Sequence, residues 1–375
     1  MNNNSENNNK ICHIISGDLW GGAETQAYSI ICELSKMGIY NIDVVIFNDG
    51  VLYSRLLKNN FNVHLLAEAD KNILRMIYAM YILFKKIKPD VIHAHGFKEN
   101  LIGGIVAKLL KIKLIRTHHG IGMINGKLVY RLIEIINGRF LTNCIISVSE
   151  DLKKLLIKNN ICNSGARVIR NGLNCTDASS DINVDELRNE LGIDKKAYVI
   201  GTMGRMVPVK NHKCLIDGVH KILGENINVY LIIVGDGPLM EQLREYVKLL
   251  GIDEKVKLPG FKNDVNRYYN LFDIFVMTSL HEGIPMSLLE AMCMNKPIVS
   301  TRVGGVPEII EDKYNGMLIS SGDSTELAKA CLQILSNKEL TKKIIFNARN
   351  DMEYKFSLKQ NVCSISKLYQ GLSLK

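Results

Sequence analysis

The chain has 375 residues, a formal net charge of +9 and an ordinary globular composition, with 47% hydrophobic and 23% charged residues. These values exclude a wholly disordered chain and leave room for two or three domains of about 150 residues each. The nine cysteines form no Cys-x-x-Cys pair. We therefore expect neither a disulfide framework nor a cysteine zinc site, and we expect a reducing, cytoplasmic compartment.

The amino terminus and the charge distribution give the first local expectations. Residues 1–10, MNNNSENNNK, are polar and of low complexity, which predicts a disordered tail and not a signal peptide. Residues 1–171 contain 22 basic and 13 acidic residues and carry the whole net charge. This asymmetry favours an anionic surface or polymer near the first half, and a solvated basic surface without a partner is the alternative. No nucleic-acid module is recognisable, so we expect no nucleic-acid partner.

The first half alternates short apolar strands with longer amphipathic segments. We predict strands at residues 11–16, 43–47, 63–66, 91–94, 114–117 and 145–148, with helices such as 23–37 and 101–110 between them. Apolar runs of this length are typical of strands that are buried on both faces. Strand–helix alternation indicates a parallel sheet that is joined by right-handed crossovers.

The second half repeats the same alternation. Strands are predicted at residues 199–203, 229–234, 256–258, 274–277, 298–300 and 316–319, with helices at 239–250, 286–292 and 324–335. The fold class is therefore α/β, with two Rossmann-like, doubly wound domains that face each other across a cleft. We place them at residues 11–171 and 196–353, joined by a polar linker at 172–195. Ligands of such domains bind beyond the carboxyl ends of the strands.

The segment HEGIPMSLLE at residues 281–290 follows a predicted strand and opens a predicted helix. Pro285 suits the first turn of that helix, where its missing N–H costs nothing. The free amides around Met286, together with the helix dipole, would form an anion site for a diphosphate. Glu282 and Glu290 could accept hydrogen bonds from sugar or ribose hydroxyls, and for either glutamate alone a surface position is the alternative.

The segment GRMVPVK follows the first strand of the second half. It places Arg205 and Lys210 five residues apart at a strand end. Two cations in this position can neutralise a leaving diphosphate, because an arginine makes a forked contact and a lysine acts as a point charge. Ordinary surface salt bridges are the alternative, since basic residues are common in loops.

A glycine-rich loop follows the first strand of the chain. Gly17, Gly21 and Gly22 would allow a close approach between the backbone and a ligand. The loop matches neither the Gly-x-Gly-x-x-Gly pattern of dinucleotide-binding proteins nor a P-loop. A glycine turn without a function is the alternative on this segment alone.

Four histidines lie at predicted strand ends. His93 and His95 share one face of a strand, and His118 and His119 end another. The spacing His93-x-His95-x-x-x-Glu99 resembles the metal-binding pattern of cupins, but cupins are all-β proteins and this chain alternates strand and helix. The sequence contains no Asp-x-Asp pair, the usual ligand of a metal-bound nucleotide sugar. We therefore expect no metal and no other cofactor, and a structural role is the alternative for each histidine.

Several segments occur together in a recognisable order. They are GGAE (21–24), THHG (117–120), VSE (148–150), IRNGL (169–173), GRMVPVK (204–210), VGDGP (234–238), EGIPMSLLEAM (282–292) and VGGVPEII (303–310). The combination resembles the family-4 retaining glycosyltransferases of the GT-B fold, over nearly the whole chain. The specific part is Glu-x7-Glu followed by Gly-Gly-x-Pro-Glu. The family's Pro-Glu-Lys loop reads Pro208-Val209-Lys210 here, with the lysine kept.

The resemblance implies roles for residues of the second half. Arg205 and Lys210 would bind the donor diphosphate, and Glu290 would hold the ribose hydroxyls of the nucleotide. Glu282 would contact hydroxyls of the donor sugar. The backbone beside the sugar and the phosphate would come from Gly283, Ile284, Pro285 and Met286.

The resemblance also implies roles for the first half. His119, with its neighbour His118 as the alternative, would lie near the donor sugar and the reacting centre. Gly21 and Gly22 would lie near the phosphate on the acceptor side. In this fold the final helix, here within residues 354–375, crosses back to pack on the first domain.

The predicted function is that of a retaining, metal-independent hexosyltransferase. It would move a sugar from a nucleoside-diphosphate donor, a UDP-sugar, to a glycan or a lipid-linked acceptor in polysaccharide or glycolipid synthesis. The resemblance implies same-face attack, in which the leaving phosphate helps to deprotonate the acceptor. A nucleotide-sugar epimerase or a phosphorylase of the same fold is one alternative, and a non-catalytic module that binds sugar or lipid is another.

The stretch NILRMIYAMYILFKKIKPD, residues 72–90, has a broad apolar surface that ends in Lys85, Lys86 and Lys88. Its longest uncharged apolar run, residues 76–84, is too short for a membrane-spanning helix of about 20 residues. It could lie at the inner membrane face, where its lysines would meet anionic lipids. A helix that packs on the sheet is the alternative.

Overall fold

The computed structural model describes residues 9–68, 72–120, 128–163, 165–175 and 184–373. The chain divides into two compact units: Met1–Gly172 with Leu358–Lys375, and Leu173–Ser357. Residues 1–8 of the expected tail lie outside the described residues. Its last two residues, Asn9 and Lys10, are not part of a tail, because they pair with Tyr40 and Asn41 in a parallel sheet.

The first unit contains a parallel sheet with the strand order β3-β2-β1-β4-β5-β6-β7 in the described part of the chain. The strands are β1 (Asn9–Ile15), β2 (Tyr40–Ile46), β3 (Asn62–Leu65), β4 (Val91–Ala94), β5 (Lys113–His118), β6 (Cys144–Ser147) and β7 (Arg167–Val168). The helices are α1 (Gly22–Lys36), α2 (Val51–Lys58), α3 (Ile73–Ile87), α4 (Phe97–Leu110), α5 (Leu128–Ile136) and α6 (Glu150–Lys158). Strand order reverses between β1 and β4.

Helices cover both faces of this sheet, because the side chains of each strand alternate in direction. In β1, Ile11 and Ile15 pack with α1 and α2, whereas Cys12 and Ile14 pack with α3 and α4 on the other face. The two faces therefore bury separate apolar cores, which explains why the central strands are apolar at nearly every position.

The last helix of the chain belongs to the first unit. It begins at Leu358 and not at residue 354, because the preceding helix runs to Lys355. Its side chains reach the first unit at several points, including a hydrogen bond of 2.5 Å between the hydroxyls of Ser366 and Tyr40. Tyr369 lies on the same helix and is fully buried in the core of the first unit.

The second unit contains a parallel sheet with the strand order β10-β9-β8-β11-β12-β13 in its described residues. The strands are β8 (Tyr198–Met203), β9 (Val229–Val234), β10 (Val256–Gly260), β11 (Ile274–Met277), β12 (Ile298–Thr301) and β13 (Met317–Ile319). The helices are α7 (Val184–Leu191), α8 (His212–Gly224), α9 (Met240–Leu249), α10 (Val265–Leu271), α11 (Met286–Cys293), α12 (Ser324–Ser336) and α13 (Lys338–Lys355), and α14 (Leu358–Ser373) returns to the first unit.

The linker predicted at residues 172–195 is largely part of the second unit. Residues 176–183 lie outside the described residues. Beyond them α7 buries Leu187 completely, and at the near end the amide of Leu173 bonds the carbonyl of Phe356 at 2.9 Å. The sequence of α7 is polar around a single buried leucine, so its hydrophobic pattern is weak.

The expectation of no disulfide is wrong for one pair of cysteines. Cys175 and Cys293 form a disulfide with a Cα–Cα distance of 5.1 Å, across 118 residues of sequence. Cys293 ends α11, and Cys175 lies in the segment that enters the second unit. So long a separation leaves no spacing pattern in the sequence. The argument for a reducing compartment therefore loses its basis.

Within the described residues, no helix is both long enough and apolar enough to cross a membrane.

Candidate functional site

The candidate site of the second unit lies where the strand order of its sheet reverses. β8 pairs with β9 on one side and with β11 on the other. The loops after β8 and β11 therefore leave the same edge of the sheet in opposite directions, which opens a crevice between them. Two hydrogen bonds join these loops. The amide of Leu280 donates to the carbonyl of Val209 at 2.7 Å, and the hydroxyl of Thr278 donates to the backbone carbonyl of Lys210 at 3.2 Å.

Lys210 and Glu282 meet in this crevice. The ammonium nitrogen of Lys210 lies 2.6 Å from Oε1 of Glu282, and the two side chains are 21% and 14% exposed. The hydroxyl of Ser279 donates to the same oxygen at 2.6 Å. Both donors thus use one carboxylate oxygen of Glu282, and the other has no hydrogen bond to the described residues.

Arg205 lies on the same loop as Lys210 and is exposed. It makes no ion pair with any residue that the structure describes. Its loop is fixed by the VGDGP segment, since a Cβ on Gly235, which has φ of +138°, would lie 2.0 Å from the carbonyl oxygen of Gly204. The glycine permits this close approach, so the VGDGP segment holds the arginine loop in place.

The helix that follows the second loop begins at Met286. Pro285 is the residue before its first turn and not inside it, with φ of −71° and ψ of 126°. The amides of Met286 and Ser287 have no carbonyl partner within the helix, as at any helix start. These amides, with the positive end of the helix dipole, can bind an anion.

Glu290 lies one turn further along α11. Its side chain is half-buried, and this burial raises the pKa of Glu290, against the opposing effect of a hydrogen bond from Tyr269. The phenol oxygen of Tyr269 lies 2.8 Å from Oε2 of Glu290. Ionisation of this carboxylate therefore costs free energy unless hydrogen-bond donors contact it.

The VGGVPEII segment packs against the backbone of the loop that carries Glu282. The amide of Gly305 donates to the carbonyl of Glu282 at 3.0 Å. Gly304 has φ of +52°, and a Cβ there would lie 2.0 Å from the same carbonyl oxygen. Only glycine fits so close to this backbone, which explains the first glycine of the pair.

In the first unit, His13, His93 and His95 form a buried chain of hydrogen bonds with Thr117 and Tyr369. His93 bonds the hydroxyl of Tyr369 at 2.6 Å and that of Thr117 at 2.7 Å. His13 bonds His95 at 3.0 Å and also lies 3.5 Å from the Tyr369 hydroxyl. The three histidines, Thr117 and Tyr369 thus connect β1, β4, β5 and α14.

His93 and His95 belong to the cupin-like spacing of the sequence, and the structure adds His13 beside them. Nitrogen atoms of His13, His93 and His95 all lie within 4.8 Å of one another. Apart from Nδ1 of His95, the ring nitrogens already bond each other, Tyr369 or Thr117, so the contacts fit a chain of neutral imidazoles. Glu99, the third residue of the cupin-like spacing, is not in this cluster, and burial raises its pKa to about 6.

His119 lies at the end of β5 beside this chain. Its ring stacks on that of His95 with centroids 5.8 Å apart, and neither ring nitrogen bonds a described residue. Burial, with a smaller contribution from the Arg116 guanidinium, lowers the pKa of His119 to about 4. Its neighbour His118 is buried at the strand end, and its pKa is lowered for the same reasons.

The glycine loop of the first unit leads into α1. Gly21 is the residue before the helix and Gly22 is its first residue. The amide of Gly21 donates to the carboxylate of Glu24 at 3.2 Å. An anion at this amide would therefore have to displace the Glu24 side chain.

The structure thus brings Lys210 and Glu282 into direct contact and places Arg205 on the loop of Lys210. Sequence reasoning missed Ser279 and Tyr269, which bond the two glutamates. The position of Ser279 at the end of β11 is a weak signal that could have indicated it. Nothing in the sequence around Tyr269 indicates its contact.

Comparisons with known proteins give a consistent result. A family model described as glycosyl transferases group 1 matches residues 183–351, and one described as Glycosyltransferase Family 4 matches residues 20–177. The chain is 28% identical over 307 residues to UDP-Gal:alpha-D-GlcNAc-diphosphoundecaprenol alpha-1,3-galactosyltransferase of Escherichia coli, with 79% of each chain covered. It is 30% identical over 294 residues to an uncharacterised glycosyltransferase of Methanocaldococcus jannaschii, with 76% of each covered.

Among solved structures, HepE of Anabaena in complex with UDP-glucose is similar to this chain, with a TM-score of 0.88 and 22% identity. The match covers 96% of this chain and 99% of that one. This likeness confirms the predicted fold class. The relatives are named as glycosyltransferases, which does not favour the epimerase, phosphorylase and binding-module alternatives.

The glycine behind Glu282 gives a first prediction. We expect Gly304→Ala to weaken donor binding about tenfold or more, because the new Cβ would push the Glu282 carbonyl and its loop away. Gly322→Ala is the matched control: Gly322 also has positive φ, +80°, but a Cβ there meets nothing within 4 Å. Binding is measured by calorimetry with UDP, and equal binding by both variants would contradict the prediction.

The buried histidines give a second prediction. Burial lowers the pKa of His13 to about 3 and that of His119 to about 4, whereas an unfolded histidine titrates near 6.5. The unfolded chain therefore binds more protons than the folded one below pH 6.5, and stability falls as the pH decreases.

We expect the melting temperature to fall steadily between pH 7.5 and 6.0. Below about pH 6, Glu99 acts in the opposite direction, because its raised folded pKa favours the folded state there. The exposed His220→Asn variant serves as a control and should show the same pH dependence. A melting temperature that does not change between pH 7.5 and 6.0 would refute this expectation.

Proposed function

Because the chain belongs to the family-4 glycosyltransferases of the GT-B fold, we propose that it transfers a sugar from a UDP-sugar to a glycan or lipid-linked acceptor. We further propose that the anomeric configuration is retained and that no metal is required. The observation that carries this proposal is the contact of Lys210 with Glu282 beside the start of α11. A cation, a carboxylate and free amides there converge on one crevice.

The donor diphosphate would bind to the positive groups of this crevice. Arg205 is exposed and offers a forked contact, and Lys210 is a point charge at the same loop. The free amides at the start of α11 add donors that need no rearrangement. These groups can stabilise the charge that develops as the diphosphate leaves, which is the role that a metal has in other transferases.

The sugar and the ribose would bind to the two glutamates. Glu282 holds Lys210 and Ser279 on one oxygen, which leaves the other for a sugar hydroxyl. Glu290 would accept the ribose hydroxyls one turn further along α11. Gly283, Ile284, Pro285 and Met286 join these residues and would supply backbone beside the sugar and the phosphate.

Retention would follow from attack on the face that the diphosphate leaves, with the leaving phosphate taking the acceptor proton. Glu282 is a poor nucleophile, because two donors already hold its carboxylate. His119 is the catalytic residue proposed for the first unit. Its lowered pKa keeps the imidazole neutral, so it can bond a sugar hydroxyl without adding charge. Gly21 and Gly22 are proposed to lie near the phosphate.

The choice of UDP and of a lipid-linked acceptor is supported by relatives. The Escherichia coli relative is named as a UDP-Gal-dependent enzyme that acts on a diphosphoundecaprenol-linked sugar. HepE has been solved with UDP-glucose and with UDP. In this chain, the excess positive charge of residues 1–171 agrees with an anionic acceptor or membrane surface.

Helix α3 offers a surface for such a membrane. One face packs into the core through Met76, Met80, Phe84 and Ile87. The opposite face exposes Leu74, Tyr78 and Ile82, which are 72%, 67% and 50% exposed and spaced four residues apart. Lys85 and Lys86 follow them. We propose that this outer face lies on anionic lipid, while the inner face packs on the sheet.

The donor site is tested by activity with a panel of UDP-, GDP- and ADP-sugars in the presence of EDTA. We expect turnover with a UDP-sugar and a decrease in kcat of about 100-fold in Lys210→Ala, by analogy with the loss of one charge-stabilising donor. Lys213→Ala is the control, because Lys213 lies on the next helix, over the ring of Tyr246. The product anomer, read by NMR, should match the donor anomer.

Three results would count against this proposal. If activity needs added metal after EDTA treatment, the claim of metal independence is wrong. If the product has the inverted anomeric configuration, the claim of retention is wrong. Conversion of the UDP-sugar to its epimer without an acceptor would replace transfer by epimerisation.

The membrane surface is tested by co-sedimentation with phosphatidylglycerol vesicles. We expect wild type to bind at low salt and to dissociate at high salt. The triple variant Leu74→Ser, Tyr78→Ser, Ile82→Ser should bind about tenfold less, because it loses apolar surface at the interface. Leu249→Ser, at an 81%-exposed leucine of α9, is the control. Absence of wild-type binding at low salt would end the membrane claim.

A further inference from the structure

Tyr269 contacts the candidate ribose site without belonging to the loops that form it. It lies on α10 and is fully buried, and its phenol oxygen is 2.8 Å from Oε2 of Glu290 and 3.0 Å from the carbonyl oxygen of Ser287. Both partners belong to α11. The phenol therefore bridges the first turn of α11 and the carboxylate one turn later.

Packing fixes the position of this phenol. The ring of Tyr269 meets that of Phe275 with centroids 5.7 Å apart and that of Phe272 at 5.9 Å. Phe275 lies in the central strand β11, and both phenylalanines are fully buried. A side chain enclosed in this way has little rotational freedom, so its hydroxyl is aimed at Glu290 in advance of any ligand.

The two acceptors of the phenol suit both protonation states of Glu290. When the carboxylate is ionised, the hydroxyl of Tyr269 donates to it. When the carboxyl group is protonated, it can donate to the phenol oxygen while the phenol donates to Ser287. Burial favours the protonated form, and the phenol bond favours the ionised form.

The other charged groups near α11 are directed elsewhere. On α13, Arg349 donates to the carbonyl of Cys293 and pairs with Glu353, and Asp351 pairs with Lys355. On α10, Arg267 pairs with glutamates of α7. The strand β12 carries no titratable side chain. Tyr269 is thus the titratable group that the described contacts place on the Glu290 carboxylate.

We propose that Tyr269 is a positioning residue for the nucleotide: its hydroxyl orients Glu290 and stabilises the ionised carboxylate, so that the free oxygen Oε1 accepts the ribose hydroxyls. This inference rests on the proposed function, which assigns the ribose to Glu290. Tyr269 itself does not touch the nucleotide in this arrangement. The free oxygen has no hydrogen bond to the described residues, so it is open to a ribose diol beside the oxygen that Tyr269 holds.

The test is calorimetric binding of UDP to the full chain, as wild type, Tyr269→Phe and Tyr268→Phe. Phenylalanine keeps the ring contacts, so the fold should persist with a similar melting temperature. We expect Tyr269→Phe to weaken UDP binding about tenfold, the effect of losing one hydrogen bond to a charged group. Tyr268 is the matched control: it is the preceding residue, is 4% exposed, and makes no bond to Glu290 among the described contacts.

Two further readouts separate positioning from a general structural effect. With 2′,3′-dideoxy-UDP, which lacks both ribose hydroxyls, wild type and Tyr269→Phe should bind equally, whereas a structural defect would weaken both ligands alike. The acid limb of UDP binding should also move to higher pH in Tyr269→Phe, because the bond that favours the ionised carboxylate is gone.

The outcomes distinguish this inference from the function on which it rests. If wild type binds none of UDP, GDP and ADP, the proposed donor site is wrong and the inference is wrong with it. If wild type binds UDP and Tyr269→Phe keeps its affinity and its pH midpoint, the inference alone is overturned. Equal weakening of UDP and the dideoxy analogue would also overturn it, because the defect would then be structural.

Discussion

The reversal of strand order between β8 and β11 is the constraint on which the candidate site depends. In a parallel sheet every carboxyl end lies at one edge, and only at the reversal do two neighbouring loops turn away from each other. The loop after β8 supplies Arg205 and Lys210, and the loop after β11 supplies Glu282. Their meeting at 2.6 Å is therefore a consequence of topology as much as of side-chain chemistry. The helix after the second loop then places its free amides at the same edge.

Close backbone contacts make this arrangement rigid. Gly235 lets the loop of Arg205 pass against the turn after β9, and Gly304 lets the segment after β12 pass against Glu282. At both positions the backbone has positive φ and leaves no room for a Cβ, so two independent requirements select glycine. The motifs that surround these glycines are scattered over a hundred residues of sequence. Gly235 fixes the loop after β8 and Gly304 fixes the loop after β11, and these two loops form the candidate site.

The sequence predicts most of the sheet and the charged residues of the site. Predicted strands 91–94, 229–234 and 274–277 coincide with β4, β9 and β11, because buried strands of parallel sheets are plainly apolar. The residues that it does not predict act through distant contacts. Tyr269 reaches Glu290 across 21 residues and Cys175 reaches Cys293 across 118, and no local pattern marks either pair. The sequence of α7 favours a linker over a helix, because a single buried leucine leaves too little periodicity.

The net charge of each half says little about where anions would bind. The second half is neutral overall, yet it holds the two cations of the candidate diphosphate site. What matters is which group pairs with each partly buried charge before and after a ligand binds. Lys210 is matched by Glu282, and each glutamate also receives a neutral hydroxyl, from Ser279 or Tyr269. A neutral hydroxyl is not drawn to an anionic ligand as a cation is, so it can stay on its carboxylate when the ligand binds. If a diphosphate drew Lys210 away, Glu282 would keep the hydroxyl of Ser279 as a donor, which would reduce the cost of leaving the carboxylate without a partner.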